Sequence, residues 1–187
     1  MLNQLDTDLL IWVNSHHNNV LDMMMWWISD RFFWIPFYAW LAVMVIKLYP
    51  QNWWKVFICI AIMILITDQS ANFLKEHFER LRPCHTPQLQ TVIHLVNGYC
   101  GGNFGYASSH ASNSVGLATF CIILFRKRYQ WLKYTLIFYA ALICYSRVYL
   151  GAHFPFDILR GALIGIIAGY LVALFTLRFI SKPSATI

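Results

Sequence analysis

The sequence predicts an all-α integral membrane protein, a bundle of five or six transmembrane helices with a short interfacial N-terminal segment. Of its 187 residues, 59% are hydrophobic and only 12% are charged, and this charged fraction is about half that of a soluble domain. The apolar residues lie in runs close to the roughly 20 residues that a membrane-spanning helix needs. The 8 Trp and 10 Tyr are of types that favour the membrane interface. Length indicates a single membrane-embedded domain over residues 1–187.

The N-terminal segment contains two short stretches, Leu5–Val13 and Val20–Ile28, that mix apolar and acidic residues. Such stretches suit short helices that lie in the membrane interface. Met23–Trp27 could instead extend the first span, so five and six crossings both stay open. The first 30 residues contain four Asp and no Lys or Arg. We therefore expect no cleaved signal peptide, because such a peptide starts with basic residues.

Five apolar stretches follow and predict the membrane spans, each near the length that a bilayer requires. They are Phe32–Leu48, Trp53–Phe73, His110–Phe125, Trp131–Leu150 and Phe154–Ile180. Because consecutive spans alternate in direction, the turns at 49–52 and 126–130 and the C-terminal tail share one side of the membrane. The N-terminal segment, the loop at 74–109 and the turn at 151–153 share the other, which we call the outward side.

Charge is divided unequally between these two sides. The first side has eight basic residues and no acidic one: Lys47, Lys55, Arg126, Lys127, Arg128, Lys133, Arg178 and Lys182. The outward side carries all 8 acidic residues. The positive-inside rule therefore predicts a multi-pass protein of the cytoplasmic (inner) membrane whose outward side faces the periplasm or exterior. Since the basic residues lie at the ends of apolar runs, the net charge of +6 does not indicate a nucleic-acid partner.

The outward turn before the last span is rich in ionisable residues and reads SRVYLGAHFPFD. Such residues within or beside spans are costly and usually pair or line a polar cavity, so Arg147 and Asp157 predict a polar site. His153 and Asp157 are four apart and share a helix face if the last helix begins at Ala152. The carboxylate would then hold one imidazole nitrogen and make the other more basic, although a purely structural pair would have the same spacing.

Two further polar segments lie on the outward side. KEHFERLRP contributes Lys75, Arg80 and Arg82, and ASSH puts Ser108 and Ser109 at the start of the third span. Taken singly, the cations suit charges that face lipid headgroups, and a Ser suits an ordinary N-cap. Together, cations and helix N-terminal amides suit a phosphoryl group. One histidine would attack phosphorus while a second protonates the leaving oxygen.

These three segments resemble the three-part signature of the phosphatidic-acid phosphatase type 2 superfamily, membrane lipid phosphatases that share a core with vanadium haloperoxidases. The first part, Lys, six residues and Arg-Pro, matches Lys75, Arg82 and Pro83. The second, Pro-Ser-Gly-His, is ASSH here and ends at His110. The third, Ser-Arg, five residues, His, three residues and Asp, is matched in full by SRVYLGAHFPFD. The resemblance frames residues 75–157.

The resemblance implies a role for each matched residue. His153 would be the nucleophile that forms a phosphohistidine, Asp157 would orient and charge-stabilise it, and His110 would be the general acid. The phosphate oxygens would be held by three cations and by the start of the third span: Lys75, Arg82, Arg147, Ser108, and the backbone of Ser109 and His110. The resemblance implies neither a metal nor another cofactor.

The second part departs from the family pattern at two positions. Ala107 replaces Pro and loses only a fixed φ angle. Ser109 replaces Gly, and a Ser would be strained there if the family Gly requires a positive φ. We expect a helical backbone at Ser109, where a Ser fits and adds a hydroxyl.

The function that the resemblance implies is hydrolysis of a lipid phosphate or diphosphate at the outer face of the cytoplasmic membrane. Undecaprenyl diphosphate, phosphatidylglycerol phosphate, lipid A phosphates and phosphatidic acid all fit the expected geometry. The partners are therefore the lipid substrate and the bilayer, and no oligomeric state is indicated. The alternatives are a lipid-to-lipid phosphotransferase and a non-enzymatic lipid-binding or transport protein.

The five cysteines fall into two groups. Cys59, Cys121 and Cys144 lie in predicted spans and suit apolar packing. Cys84 and Cys100 lie in the outward loop, in an oxidising compartment if the predicted orientation holds. A disulfide between them and a pair of free thiols are equally compatible with the sequence.

Overall fold

The computed structural model describes residues 4–126 and 128–180, and within those ranges the chain forms seven α-helices and no β-strand. They are α1 (Gln4–Ser15), α2 (Asn19–Ser29), α3 (Ile35–Leu48), α4 (Trp53–Phe78), α5 (Ser109–Phe125), α6 (Leu132–Tyr149) and α7 (Pro155–Phe179). The predicted all-α class is confirmed. By length and composition, α4 and α7 can cross a membrane, whereas the count of five or six spans stays a prediction. Lys127 and Lys182, two of the basic residues that predict the orientation, lie outside the described residues.

Local sequence sets where several of these helices begin. The Asn18 side chain accepts hydrogen bonds from the free N–H groups of Val20 and Leu21 at the start of α2, as N-cap residues do. Pro155 is the first residue of α7, where its fixed φ suits a helix and its missing N–H costs nothing. The last helix therefore begins at Pro155 rather than Ala152. His153 lies in the preceding turn, and the expected shared helix face with Asp157 is wrong.

The α5 and α7 helices pack together through glycine. Gly161, Gly165 and Gly169 recur every four residues and form one stripe on α7. A Cβ at Gly165 would lie 2.5 Å from the Ser112 carbonyl oxygen, and one at Gly169 would lie 2.5 Å from the Gly116 carbonyl oxygen. The two backbones are thus in direct contact, as small residues permit between membrane helices.

The N-terminal helices pack onto the bundle. The α1 helix contacts α6 and α7, and α2 contacts α6. Leu10 and Asp6 of α1 are fully buried, so α1 has protein contacts in addition to any contact with lipid. The buried Asn14 amide donates to the Tyr149 carbonyl oxygen over 2.7 Å and to the His94 carbonyl oxygen over 2.9 Å. Through these bonds the segment is fastened to the end of α6 and to the loop between α4 and α5 (residues 79–108, here the α4–α5 loop).

Candidate active site

The three polar segments predicted from the sequence meet at one end of the bundle, where α4 and α6 end and α5 and α7 begin. The Ser108 N–H donates to the Asp157 carbonyl oxygen over 3.0 Å and joins the starts of α5 and α7. The Arg82 N–H donates to the Asn103 carbonyl oxygen over 2.9 Å and joins the two arms of the α4–α5 loop. These backbone bonds bring side chains from distant parts of the sequence to one place.

His153 lies at the centre of this cluster and is 1% exposed. Its Nδ1 lies 3.2 Å from the Gly105 carbonyl oxygen. Because a carbonyl only accepts hydrogen bonds, the ring hydrogen belongs on Nδ1, and Nε2 keeps its lone pair. Burial, followed by the positive charges of Arg82, Arg147 and Lys75, lowers the pKa of His153 well below its ordinary value. The ring is therefore neutral and has one nucleophilic nitrogen.

Asp157 has a different set of partners from the one expected. Its Oδ2 lies 3.8 Å from His153 Nδ1, which is an electrostatic contact and longer than a hydrogen bond. The same oxygen accepts the Phe154 N–H over 3.1 Å and so caps α7. The Gly105 carbonyl oxygen, not Asp157, accepts the hydrogen bond from the ring. Asp157 thus lies close to His153 without a hydrogen bond to it and helps to shape the turn that holds the ring.

Arg80 is one of the outward cations, but the family resemblance implied no role for it. Its Nη1 donates to Asp157 Oδ1 and its Nη2 to Asp6 Oδ2, both over 2.6 Å. Both carboxylates are fully buried. The remaining oxygen of Asp6 accepts the Phe156 N–H over 2.8 Å. One guanidinium thus holds α1, the α4–α5 loop and the start of α7 together.

Replacing Arg80 by alanine should destabilise the protein by about 3–5 kcal/mol, because it takes the ion-pair partner from the buried Asp6 and leaves the buried Asp157 with Arg160 alone, 3.3 Å away. Arg80→Lys should have an intermediate effect, since one ammonium cannot reproduce the two-pronged contact of a guanidinium. Thermal unfolding in detergent measures both, with Arg178→Ala, at an exposed arginine of α7, as the control. Equal melting temperatures for Arg80→Ala and Arg178→Ala would refute this role.

The three cations predicted to bind phosphate surround His153. Lys75 Nζ donates to Ser109 Oγ over 2.6 Å and to Asn72 Oδ1 over 3.1 Å. Arg82 Nε donates to the Phe104 carbonyl oxygen over 3.2 Å. Arg147 is 3% exposed and donates to Ser29 Oγ, while its Nε has no hydrogen-bond partner among the described residues. A buried guanidinium with an uncommitted N–H is suited to an anionic ligand.

The start of α5 provides the remaining predicted residues. Ser108 is the N-cap, and its hydroxyl accepts the Ala111 N–H over 3.4 Å. Ser109 is the first helical residue, in agreement with the helical backbone expected there, and its hydroxyl is held by Lys75. His110 follows, is accessible, and borders the cavity described below. The free N–H groups and the dipole of this helix end favour an anion.

A disulfide braces the loop that carries Arg80 and Arg82. Cys84 and Cys100 are joined, with their Cα atoms 5.9 Å apart. This settles the two alternatives that the sequence left open. Leu81 and Phe104 form an antiparallel bridge within the same loop, so a covalent link and backbone hydrogen bonds both hold the cationic arm in place.

A cavity of about 600 Å³ runs from His110 and Ser109 into the helix bundle. Most of its wall is apolar and comes from α3, α4, α5 and α6, including Leu41, Ile60 and Leu117. Asp68 of α4 and Arg31 add charge to its lining. The arrangement offers an apolar chamber that opens directly beside the polar cluster, as a site for an amphiphilic molecule would.

Comparison with known proteins agrees with this arrangement. A family model described as the PAP2 superfamily matches residues 52–181. The chain is 39% identical over 176 residues to a lipid A 4'-phosphatase of Bacteroides thetaiotaomicron, and the alignment covers 91% of this chain and 76% of that relative. It is also 32% identical over 172 residues to a lipid A 4'-phosphatase of Porphyromonas gingivalis. That alignment covers 90% of this chain and 72% of the relative.

The fold also has a solved counterpart. The crystal structure of a transmembrane PAP2-type phosphatidylglycerolphosphate phosphatase from Bacillus subtilis superposes with a TM-score of 0.71. The match covers 94% of this chain and 86% of that one at 21% sequence identity. At this identity the likeness concerns the arrangement of the helices.

Proposed function

The chain belongs to the PAP2 superfamily and is a lipid phosphatase, and we propose that it removes a phosphate from lipid A at the outer face of the cytoplasmic membrane through a phosphohistidine. One observation carries the proposal: a neutral, buried imidazole keeps its Nε2 lone pair amid the charges of three cations. The choice of lipid A rests on the names of two relatives, each of which aligns with about nine-tenths of this chain.

In the proposed reaction, Lys75, Arg82 and Arg147 bind the phosphate oxygens and neutralise charge that develops in the transition state. The Nε2 atom of His153 attacks phosphorus, an N–P bond forms, and the bond between phosphorus and the lipid oxygen breaks. His110, protonated once the anionic phosphate is bound beside it, gives that proton to the oxygen as it leaves and becomes neutral.

The second half of the reaction returns the enzyme to its starting state. His110, now neutral, accepts a proton from water, and the water oxygen attacks the phosphorus of the phosphohistidine. The N–P bond breaks, inorganic phosphate is released, and His153 regains its Nε2 lone pair. Asp157 stabilises the positive charge that His153 carries while it is phosphorylated.

The cavity beside His110 would receive the apolar part of the substrate. Its wall of apolar side chains suits acyl chains that enter sideways from the bilayer. An outward-facing site, as the distribution of basic residues predicts, would present the phosphate at the membrane surface.

We expect the purified protein to release phosphate from lipid A with EDTA present, because cations and helix amides of the chain supply the electrostatic stabilisation. The assay compares lipid A with undecaprenyl diphosphate, phosphatidylglycerol phosphate and phosphatidic acid. Mass spectrometry of the product tells which lipid A phosphate has left, and the 4'-phosphate is the expected one.

Each other outcome rejects a definite part of the proposal. A requirement for a divalent metal would reject the metal-independent mechanism. Higher kcat/KM for another lipid would reject lipid A as the substrate and keep the reaction. Phosphate that appears on an added lipid acceptor instead of in solution would identify a phosphotransferase.

A further inference from the structure

A second cluster of ligand-type side chains lies away from the phosphate site. His17, Asp22 and His94 each offer one ligand atom, and the three atoms lie within 4.8 Å of one another. The His94 Nε2 and Asp22 Oδ2 atoms are 2.8 Å apart. The rings of His17 and His94 are stacked, with centroids 3.7 Å apart and planes 9° apart. The residues come from the turn between α1 and α2, from α2, and from the α4–α5 loop.

Neighbouring groups hold two of these three residues in place. Tyr149 donates its hydroxyl hydrogen to Asp22 Oδ1 over 2.7 Å, which leaves Oδ2 for another partner. The Asn14 side chain binds the backbone of His94 on both sides, accepting its N–H over 2.8 Å and donating to its carbonyl oxygen over 2.9 Å. Metal ligands are typically oriented by outer hydrogen bonds of this kind.

We propose that His17, Asp22 and His94 bind a divalent transition-metal ion, with Zn²⁺ as the expected occupant. Two imidazoles and a carboxylate are a donor set that zinc prefers, with bonds of about 2.0–2.2 Å. Ligand atoms around a tetrahedral zinc would lie about 3.4 Å apart, so the present spacing requires only side-chain adjustments. His17 is exposed and can make that adjustment, and its exposure gives an ion access.

The bound ion would restrain the backbone that packs against the turn carrying His153. Gly151 begins that turn with a φ of 66° and packs closely on the neighbours of His94: a Cβ there would lie 2.5 Å from Ile93 Cγ2 and 3.2 Å from Leu95 Cδ2. Fixing His94 to the N-terminal segment therefore restrains the backbone against which the turn rests. This role is structural and is independent of the proposed phosphatase chemistry.

The test adds Zn²⁺ alone to metal-free protein that carries no histidine tag and whose Cys84–Cys100 disulfide is intact. Calorimetry should give one bound ion per chain, and the melting temperature should rise because a ligand of the native state stabilises it. His17→Ala and His94→Ala should each weaken binding at least tenfold. His16→Ala, at the exposed neighbouring residue, and His85→Ala, beside the disulfide, should bind like the wild type.

A melting temperature of metal-free His17→Ala equal to that of the wild type would show that this variant folds, and Asp22→Asn provides a second variant of the site. Binding that is absent in the wild type, or unchanged in His17→Ala and Asp22→Asn, would overturn the proposal. Binding lost only in His85→Ala would place the ion beside the disulfide and would also overturn it. EDTA should lower the melting temperature of the zinc-loaded protein and leave its phosphate release intact.

Discussion

Replacing His153 by glutamine should lower kcat for phosphate release from lipid phosphates by about 10⁴-fold or more, since loss of a nucleophile removes the covalent route altogether. Glutamine keeps much of the volume of the ring and can still donate to the Gly105 carbonyl oxygen. The loss should therefore appear in kcat with little change in melting temperature. Rapid quenching under alkaline conditions, where phosphohistidine survives, should trap a phosphorylated wild-type enzyme and an unmodified variant.

His77→Ala is the matched control, because His77 lies exposed on α4 and stacks on Phe73. It should retain wild-type kcat. The mechanism would be wrong if His153→Gln kept more than a tenth of the activity. Detection of the phosphate on His110 in the wild type would instead make His110 the nucleophile and His153 the general acid.

Replacing His110 by alanine should lower kcat on a lipid phosphate by about 10²–10⁴-fold, which is the usual contribution of a general acid. The loss should be much smaller for the first step on an acylated nitrophenyl phosphate. Nitrophenolate leaves without a proton, whereas the alkoxide of a lipid needs one. Because the same residue would activate water, the variant should release a burst of nitrophenolate and then accumulate the phosphohistidine.

The two substrates distinguish acid catalysis from simple damage to the site. Damage would lower the first step on both by the same factor, and that result would refute the assigned role. His110 is accessible and opens onto the cavity, so its truncation should leave the buried cluster around His153 in place. Equal melting temperatures of variant and wild type would verify this.

Much of this site follows from the sequence because its residues lie in short segments with fixed spacing. Lys75, His110 and His153 each belong to a motif at the end of an apolar run, and the structure brings the three segments together. The helical backbone at Ser109 could also be predicted, since only the family's glycine argued for another conformation. The contact between the Ser109 hydroxyl and Lys75 could not be predicted, because it joins side chains of two different helices.

Other features of the site have no local signal. The bond from His153 to the Gly105 carbonyl oxygen involves a backbone atom that every residue has. The pairing of Asp6 with Arg80 links residues 74 positions apart, and neither lies in a pattern that points to the other. The start of α7 is predictable from the sequence, since a proline at 155 marks a first helical position. The four-residue spacing between His153 and Asp157 favoured the wrong interpretation.

The glycine stripe of α7 should affect how the enzyme responds to bilayers of different thickness. Membrane helices accommodate such changes by tilting, and their tilt is set by packing against neighbouring helices. The backbones of α5 and α7 are in direct contact, with no side chains between them that could rearrange. We therefore expect these two helices to tilt together as one rigid body. The histidines that flank this pair, His110 at the start of α5 and His153 just before α7, would keep their separation. The adjustment would fall on α3 and α4, which line the apolar cavity together with α5 and α6. Thinner or thicker membranes should therefore alter substrate affinity before they alter turnover.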